Sequence, residues 1–202
     1  MKYGLYYNHN LIGDILLVIF NPNAIPTKII TKDNIVALYK EEELIGYNFL
    51  DISEDIKIKA NGYIPLINHE VTDILNHMLK NAGLLELDYL DDSGFKVAKI
   101  VKMEEHPDSD HLHICSVDVG EAELLQIVCG SFNAKEGLKV VCAMPYTFMP
   151  NGQIIVPGEL LGVKSDGMLC SGRELNLPGY DNVRGLYILD DNYVVGSDFF
   201  RY

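Results

Sequence analysis

The chain has 202 residues, 48% of them apolar and 22% charged, which is enough apolar matter for one packed domain or two small ones and excludes a disordered polymer. Sixteen Lys and Arg stand against 29 Asp and Glu, a net charge of −13, so the chain is not a basic module; any contact with nucleic acid must come from a local patch, stacking or shape. The longest apolar run, Ile15 to Phe20, is far short of the ~20 residues of a membrane span, and Met1 to Tyr6 lacks the pattern of a secretory signal. Cys115, Cys129, Cys142 and Cys170 fall outside any C-x-x-C spacing and sit in apolar stretches, so reduced, buried thiols in a cytoplasmic protein without membrane contact are expected.

Short strands are predicted first: Tyr3 to Asn8, Asp14 to Phe20, Ile35 to Tyr39 and Leu44 to Phe49, with turns at Asn21-Pro22-Asn23 and Asn61-Gly62. Val71, Ile74, Leu75, Met78 and Leu79 then fall on one stripe of a helix, with Asn68 as its cap and Gly83 just past its end. That stripe packs on the N-terminal sheet or, in part, on a second copy in a homodimer. An α+β domain is therefore expected over 1–85. The acidic stretch 86–93 reads as a linker, and a β domain follows over 94–200.

In the second domain Phe95 to Val101, Leu112 to Val119, Leu124 to Cys129, Lys139 to Ala143 and Gln153 to Val156 read as strands, and His106 to Asp110 as a loop. Five short strands with Gly and Pro punctuation fit a small closed barrel or, on pattern alone, a sandwich. In the loop, Pro107 stiffens the chain and Asp108 and Asp110 can cap local amides. His106, His111 and His113 beside those carboxylates also permit a metal reading, but no fourth ligand at zinc spacing is evident, so no metal is expected. No nucleophile elbow, phosphate loop or H-E-x-x-H occurs, and Cys170-Ser171 has no evident base, so neither catalysis nor a cofactor is expected.

The run His106-Pro107-Asp108-Ser109-Asp110-His111-Leu112, Val117-Asp118-Val119-Gly120, Leu125-Gln126-Ile127-Val128-Cys129-Gly130, Ser165-Asp166-Gly167-Met168-Leu169-Cys170-Ser171 and Arg173-Glu174-Leu175 closely resembles the tRNA-binding domain at the start of the bacterial phenylalanyl-tRNA synthetase β chain. That subunit continues well past this domain, whereas this chain stops at Tyr202, so it looks like a free-standing protein of the YtpR type. The resemblance implies an oligonucleotide-binding (OB) β-barrel over 94–200, mostly β with some α in the whole chain, and non-catalytic binding of tRNA or structured RNA. It places the Ser-x-Gly-Met segment on the nucleic-acid side, so Ser165, Gly167 and Met168 are candidates. Ser165 can donate to a phosphate, and Met168 either packs on a base or belongs to the core.

Arg173 suits a phosphate or a stacked base through its planar fork. Lys96, Lys99, Lys102, Lys139 and Lys164 are either RNA contacts or solubilising charges. By the period-two rule Lys96 and Lys102 share a strand face and Lys99 points the other way. Family members often carry Lys where this chain has His111, which removes a fixed charge there. The contrasting expectation is an acidic OB-fold module that binds a protein partner instead of RNA.

Overall fold

The computed structural model describes residues 2–202, which divide into two compact units. One runs to Asp91 and includes Pro150–Gln153; the other comprises Asp92–Met149 and Ile154–Tyr202. Both are built mainly of strands, with little helix.

In the first unit β1 (Gly4–Tyr7), β2 (Ile15–Ile19), β3 (Lys28–Lys32), β4 (Ile35–Lys40), β5 (Glu43–Leu50) and β6 (Gly62–Ile64) form an antiparallel sheet in the order β3-β4-β5-β2-β1-β6. Alternation sets its inner face: Leu5, Leu16, Val18, Ile35, Tyr47 and Phe49 are all buried. A single turn, α1 (His9–Ile12), joins β1 to β2, and α2 (His69–Asn81) contributes the predicted stripe. Leu75 and Leu79 are fully buried in the same core as the sheet residues, whereas Ile74 is 39% exposed at the rim. The stripe therefore packs within the unit. Asn68 caps the helix by accepting from the Val71 amide at 2.9 Å.

Residues 86–91 are not free chain. Leu87 is buried, and the buried Asn76 side chain donates to its carbonyl at 2.9 Å and accepts from its amide at 2.6 Å. Asn76 thus replaces a missing strand partner. Asn76→Ala should strip both Leu87 groups of their partners and cost about 3 kcal/mol. Urea unfolding of the two proteins measures this, and a loss below about 1 kcal/mol would show that water fills the gap.

The second unit holds β7 (Phe95–His106), β8 (Ser109–Asp118), β9 (Leu125–Cys129), β10 (Lys139–Ala143), β11 (Gly158–Leu160), β12 (Val163–Ser165), β13 (Met168–Leu169) and β14 (Ile188–Leu189). Its main sheet runs β13-β10-β7-β8-β9, β14 also pairs with β10, and β11 pairs with β12. The sheet path does not close on itself. Ala98, Ile100, Cys115, Val117, Ile127 and Val140 form its core.

Three expectations fail locally. The strand from Phe95 continues to His106, so the expected loop is only the turn Pro107-Asp108 of a β-hairpin. Beyond the core both faces of this arm are largely exposed, and without burial there is no apolar alternation to read. Gln153 to Val156 is not a strand; only Ile154 makes a bridge, to Phe148. The lysine faces are also reversed. Lys99 lies opposite Asp118 and Lys102 opposite Ser116, so Val101 is an extra residue, a β-bulge. That bulge puts Lys99 and Lys102 on one face. Lys96, opposite Cys142 where Lys99 is opposite Lys139, points to the other.

Candidate nucleic-acid interface

Charge and shape meet at a cleft of about 570 Å³ in the second unit. Its walls include Phe132, Met168, Arg173, Glu174 and Arg184. Local chain chemistry positions each group. Ser171 and Glu174 form a capping box: the Glu174 amide donates to Ser171 Oγ at 3.2 Å, and the Ser171 amide donates to Glu174 Oε2 at 2.7 Å. Arg173 projects from the turn this box fixes.

On the facing wall Asn133 Oδ1 accepts from the Leu186 amide at 2.8 Å, and its Nδ2 donates to the Leu186 carbonyl at 3.1 Å. Ser131 Oγ donates to Asn133 Oδ1 at 2.8 Å. The segment 131–133 is thereby clamped to 184–186, which sets Phe132 and Arg184 on one wall.

The chain has three arginines, and two of them line this cleft. Among the described residues neither Arg173 nor Arg184 has an ion pair or hydrogen bond with another side chain, and the only carboxylate in the lining, Glu174, is engaged by Ser171. The cleft is thus locally cationic on a strongly anionic protein.

Of the expected site residues, the cleft brings together Met168, half-buried on β13, and the exposed Arg173. Met168 also borders a second hollow of about 340 Å³ with Ser165 and Gly167. The Ser165 hydroxyl is taken up by the backbone, accepting from the Val128 amide at 3.1 Å. Gly167, at φ +145°, is tightly enclosed: a Cβ would lie 3.0 Å from the Ala143 carbonyl oxygen.

The lysines do not line the cleft. Lys164 pairs with Asp166 at 2.6 Å and Lys102 with Glu104 at 2.9 Å. Lys139 Nζ donates to the carbonyls of Asp191 and Tyr193 at 2.9 and 2.8 Å, anchoring a turn. Lys96 is half-buried and Lys99 exposed on β7.

The histidine hairpin is a structural device. His106 is buried; its Nδ1 accepts from the Asp108 amide at 3.1 Å, which makes Nε2 the protonated nitrogen facing the Leu160 carbonyl at 3.2 Å. Ser109 Oγ accepts from the amides of His111 and Leu112, so the turn is capped by His106 and Ser109 rather than by Asp108 and Asp110. Asp110 instead pairs with His111, whose hydrogen bond holds that carboxyl below its usual range. Among the described residues no group of three or more His, Cys, Asp or Glu side chains is placed to hold a metal. All four cysteines are free and buried. Burial pushes the Cys142 thiol up to about 12 and that of Cys170 well above its ordinary value, so neither offers a thiolate at neutral pH.

A family described as "Putative tRNA binding domain" matches residues 95–198, which take in most of the second unit. The chain is 36% identical to the "Putative tRNA-binding protein YtpR" of Bacillus subtilis (strain 168), over 96% of this chain and 98% of that one. The chain belongs to the YtpR family.

A further family, a domain of unknown function (DUF4479), matches residues 22–88 of this YtpR-family chain. The phenylalanine–tRNA ligase beta subunit of Neisseria gonorrhoeae (strain ATCC 700825 / FA 1090) is 44% identical over 64% of this chain, which spans only 17% of that subunit. A crystal structure of the C-terminal domain of Plasmodium vivax p43 shares 24% identity over 53% of this chain and 61% of that one, with a TM-score of 0.38. Among the described residues no helix is long and apolar enough to cross a membrane.

Proposed function

We propose that this YtpR-family chain binds tRNA, or structured RNA like it, without catalysing a reaction, and that it does so in the cytoplasm through its second unit. The observation that carries the reading is the cleft: two unpaired guanidinium groups, Met168 and an exposed phenylalanine lie together on the unit matched by the tRNA-binding family. Arginine forks bind phosphate bidentately, and aromatic faces take unstacked bases. The proposed contacts are Arg173 and Met168 at the cleft, with Ser165, Gly167, Lys164, Lys96, Lys99, Lys102 and Lys139 as the wider surface.

In the same reading residues 94–200 form an OB barrel, 1–85 an α+β domain and 86–93 the join. Support for the barrel comes from the segment 164–166, which runs from β12 along β9: the Asp166 amide donates to the Gln126 carbonyl at 2.9 Å, and Gln126 Nε2 donates to the Lys164 carbonyl at 2.8 Å. This draws the two ends of the five-stranded path toward each other, as an OB barrel requires.

Fluorescence anisotropy with bulk tRNA at two salt concentrations, and duplex DNA as control, tests the binding. Saturable binding that prefers tRNA and weakens as salt rises is expected. No binding at micromolar protein in low salt would mean that the net charge of −13 dominates. A protein partner, recovered stoichiometrically after nuclease treatment, would then be the reading to adopt. Sedimentation of the same sample separates one copy from a homodimer.

A further inference from the structure

Phe132 stands apart from the other aromatic side chains of its type. Of the seven phenylalanines it alone is strongly exposed, at 79%, whereas Phe49, Phe95, Phe148 and Phe199 are buried and Phe20 and Phe200 half-buried. An exposed ring on a loose loop is common, but this one is mounted. The residue after it, Asn133, makes two hydrogen bonds to Leu186, and the residue before it, Ser131, binds Asn133 and accepts from the Leu186 amide at 3.2 Å. The same clamp holds Arg184 two residues from Leu186, and Arg173 lines the same cleft from a turn with its own capping box. A rigid apolar face beside two rigidly based cations loses little freedom on binding.

We propose that this cleft captures one unstacked nucleotide of the bound RNA, its base stacked on the Phe132 ring and its phosphate held by Arg173 and Arg184. The proposal rests on the RNA-binding reading and assigns Phe132 and Arg184 roles within it. A volume of about 570 Å³ lies within the ~300–1,000 Å³ range of small-ligand sites. A flat π face beside paired cations matches a base and its phosphate in one unit, whereas an acidic peptide would use the cations and leave the ring idle. The cleft therefore tolerates any base but requires it to be unpaired, which favours a loop or bend of a folded RNA over a continuous duplex.

The chain contains no tryptophan, so Phe132→Trp places a single fluorophore at the cleft and, at an exposed position, leaves the core untouched. The full chain carrying this substitution is titrated with bulk tRNA, with the single-stranded tetranucleotide tetraadenylate and with polyglutamate. The emission is read alongside anisotropy of labelled tRNA. Stacking should quench the indole with both nucleic acids and not with polyglutamate, and Phe132→Ala should weaken tRNA binding about tenfold.

Binding of tRNA by anisotropy with no quenching, and no loss in Phe132→Ala, would overturn the cleft assignment while leaving RNA binding intact. Quenching by tetraadenylate without any tRNA binding would uphold the cleft and sink the tRNA reading. A response to polyglutamate alone would overturn the proposal in favour of an acidic protein segment, and no response to any probe would sink both.

Discussion

Gly120→Ala is expected to destabilise the second unit by about 3–5 kcal/mol, a large share of the ~5–15 kcal/mol that holds a typical domain together. Gly120 has φ +78°, where an alanine costs roughly 1–2 kcal/mol for its left-handed backbone alone. The larger cost is contact between two backbones. A Cβ at position 120 would lie 2.5 Å from the Cα of Gly196, which no side-chain rotation relieves. Moving the segment around Gly196 breaks its attachment to β7, where the Gly196 amide donates to the Val97 carbonyl at 2.8 Å and the Val97 amide to the Ser197 carbonyl at 2.9 Å. Gly137→Ala is the matched control: its φ is +86°, and a Cβ there meets nothing within 4 Å. It should lose only the conformational part. Urea unfolding of both variants decides the matter, and equal losses would show that backbone conformation, not the close approach, explains Gly120.

That pair of glycines also shows where sequence reading runs out. Gly120 is legible as the end of a strand, but its partner lies 76 positions later and the approach of the two is a tertiary fact. Alternation worked where one strand face is buried and the other polar, as for Cys115 and Val117 against Ser116 and Asp118 in β8. It failed for β3, Lys-Ile-Ile-Thr-Lys, an edge strand largely exposed on both faces, and for the outer arm of β7 for the same reason. The bulge at Val101 left no mark in the residues on either side, yet it inverted the relation of Lys96 to Lys102.

At the cleft, Arg173 and Met168 were named as contacts from the sequence, and Phe132 and Arg184 were not. Two signals for the rest were nevertheless present. Arg184 is one of three arginines in a chain whose other cationic side chains are lysines, and Phe132 is an aromatic residue in Gly130-Ser131-Phe132-Asn133, a run of turn formers with no strand to bury it. What could not be read was that the two meet, because the meeting depends on the bonds from Asn133 to Leu186 across more than fifty residues.

Reversing both cleft arginines, Arg173→Glu with Arg184→Glu, should weaken tRNA binding at low salt at least a hundredfold. The charge at these two positions goes from +2 to −2, and two phosphate contacts become repulsions. Losing two such contacts should also lower the slope of log affinity against log salt by about 1.4–1.8. The slope matters because a protein with a net charge of −13 repels RNA at long range, so extra negative charge at any place weakens binding somewhat. Lys32→Glu with Lys40→Glu supplies the comparison: both side chains are exposed in the first unit, and the total charge changes by the same four units. That variant should bind within a fewfold of the parent and keep its salt slope, because diffuse charge acts only through a field that salt screens within ~10 Å. Should both double variants lose affinity alike, the binding surface is not the cleft, and net charge rather than the arginine pair governs the interaction. If only the arginine variant fails while both unfold at the same urea concentration, the two guanidinium groups are the contacts that let an acidic chain hold an anionic polymer.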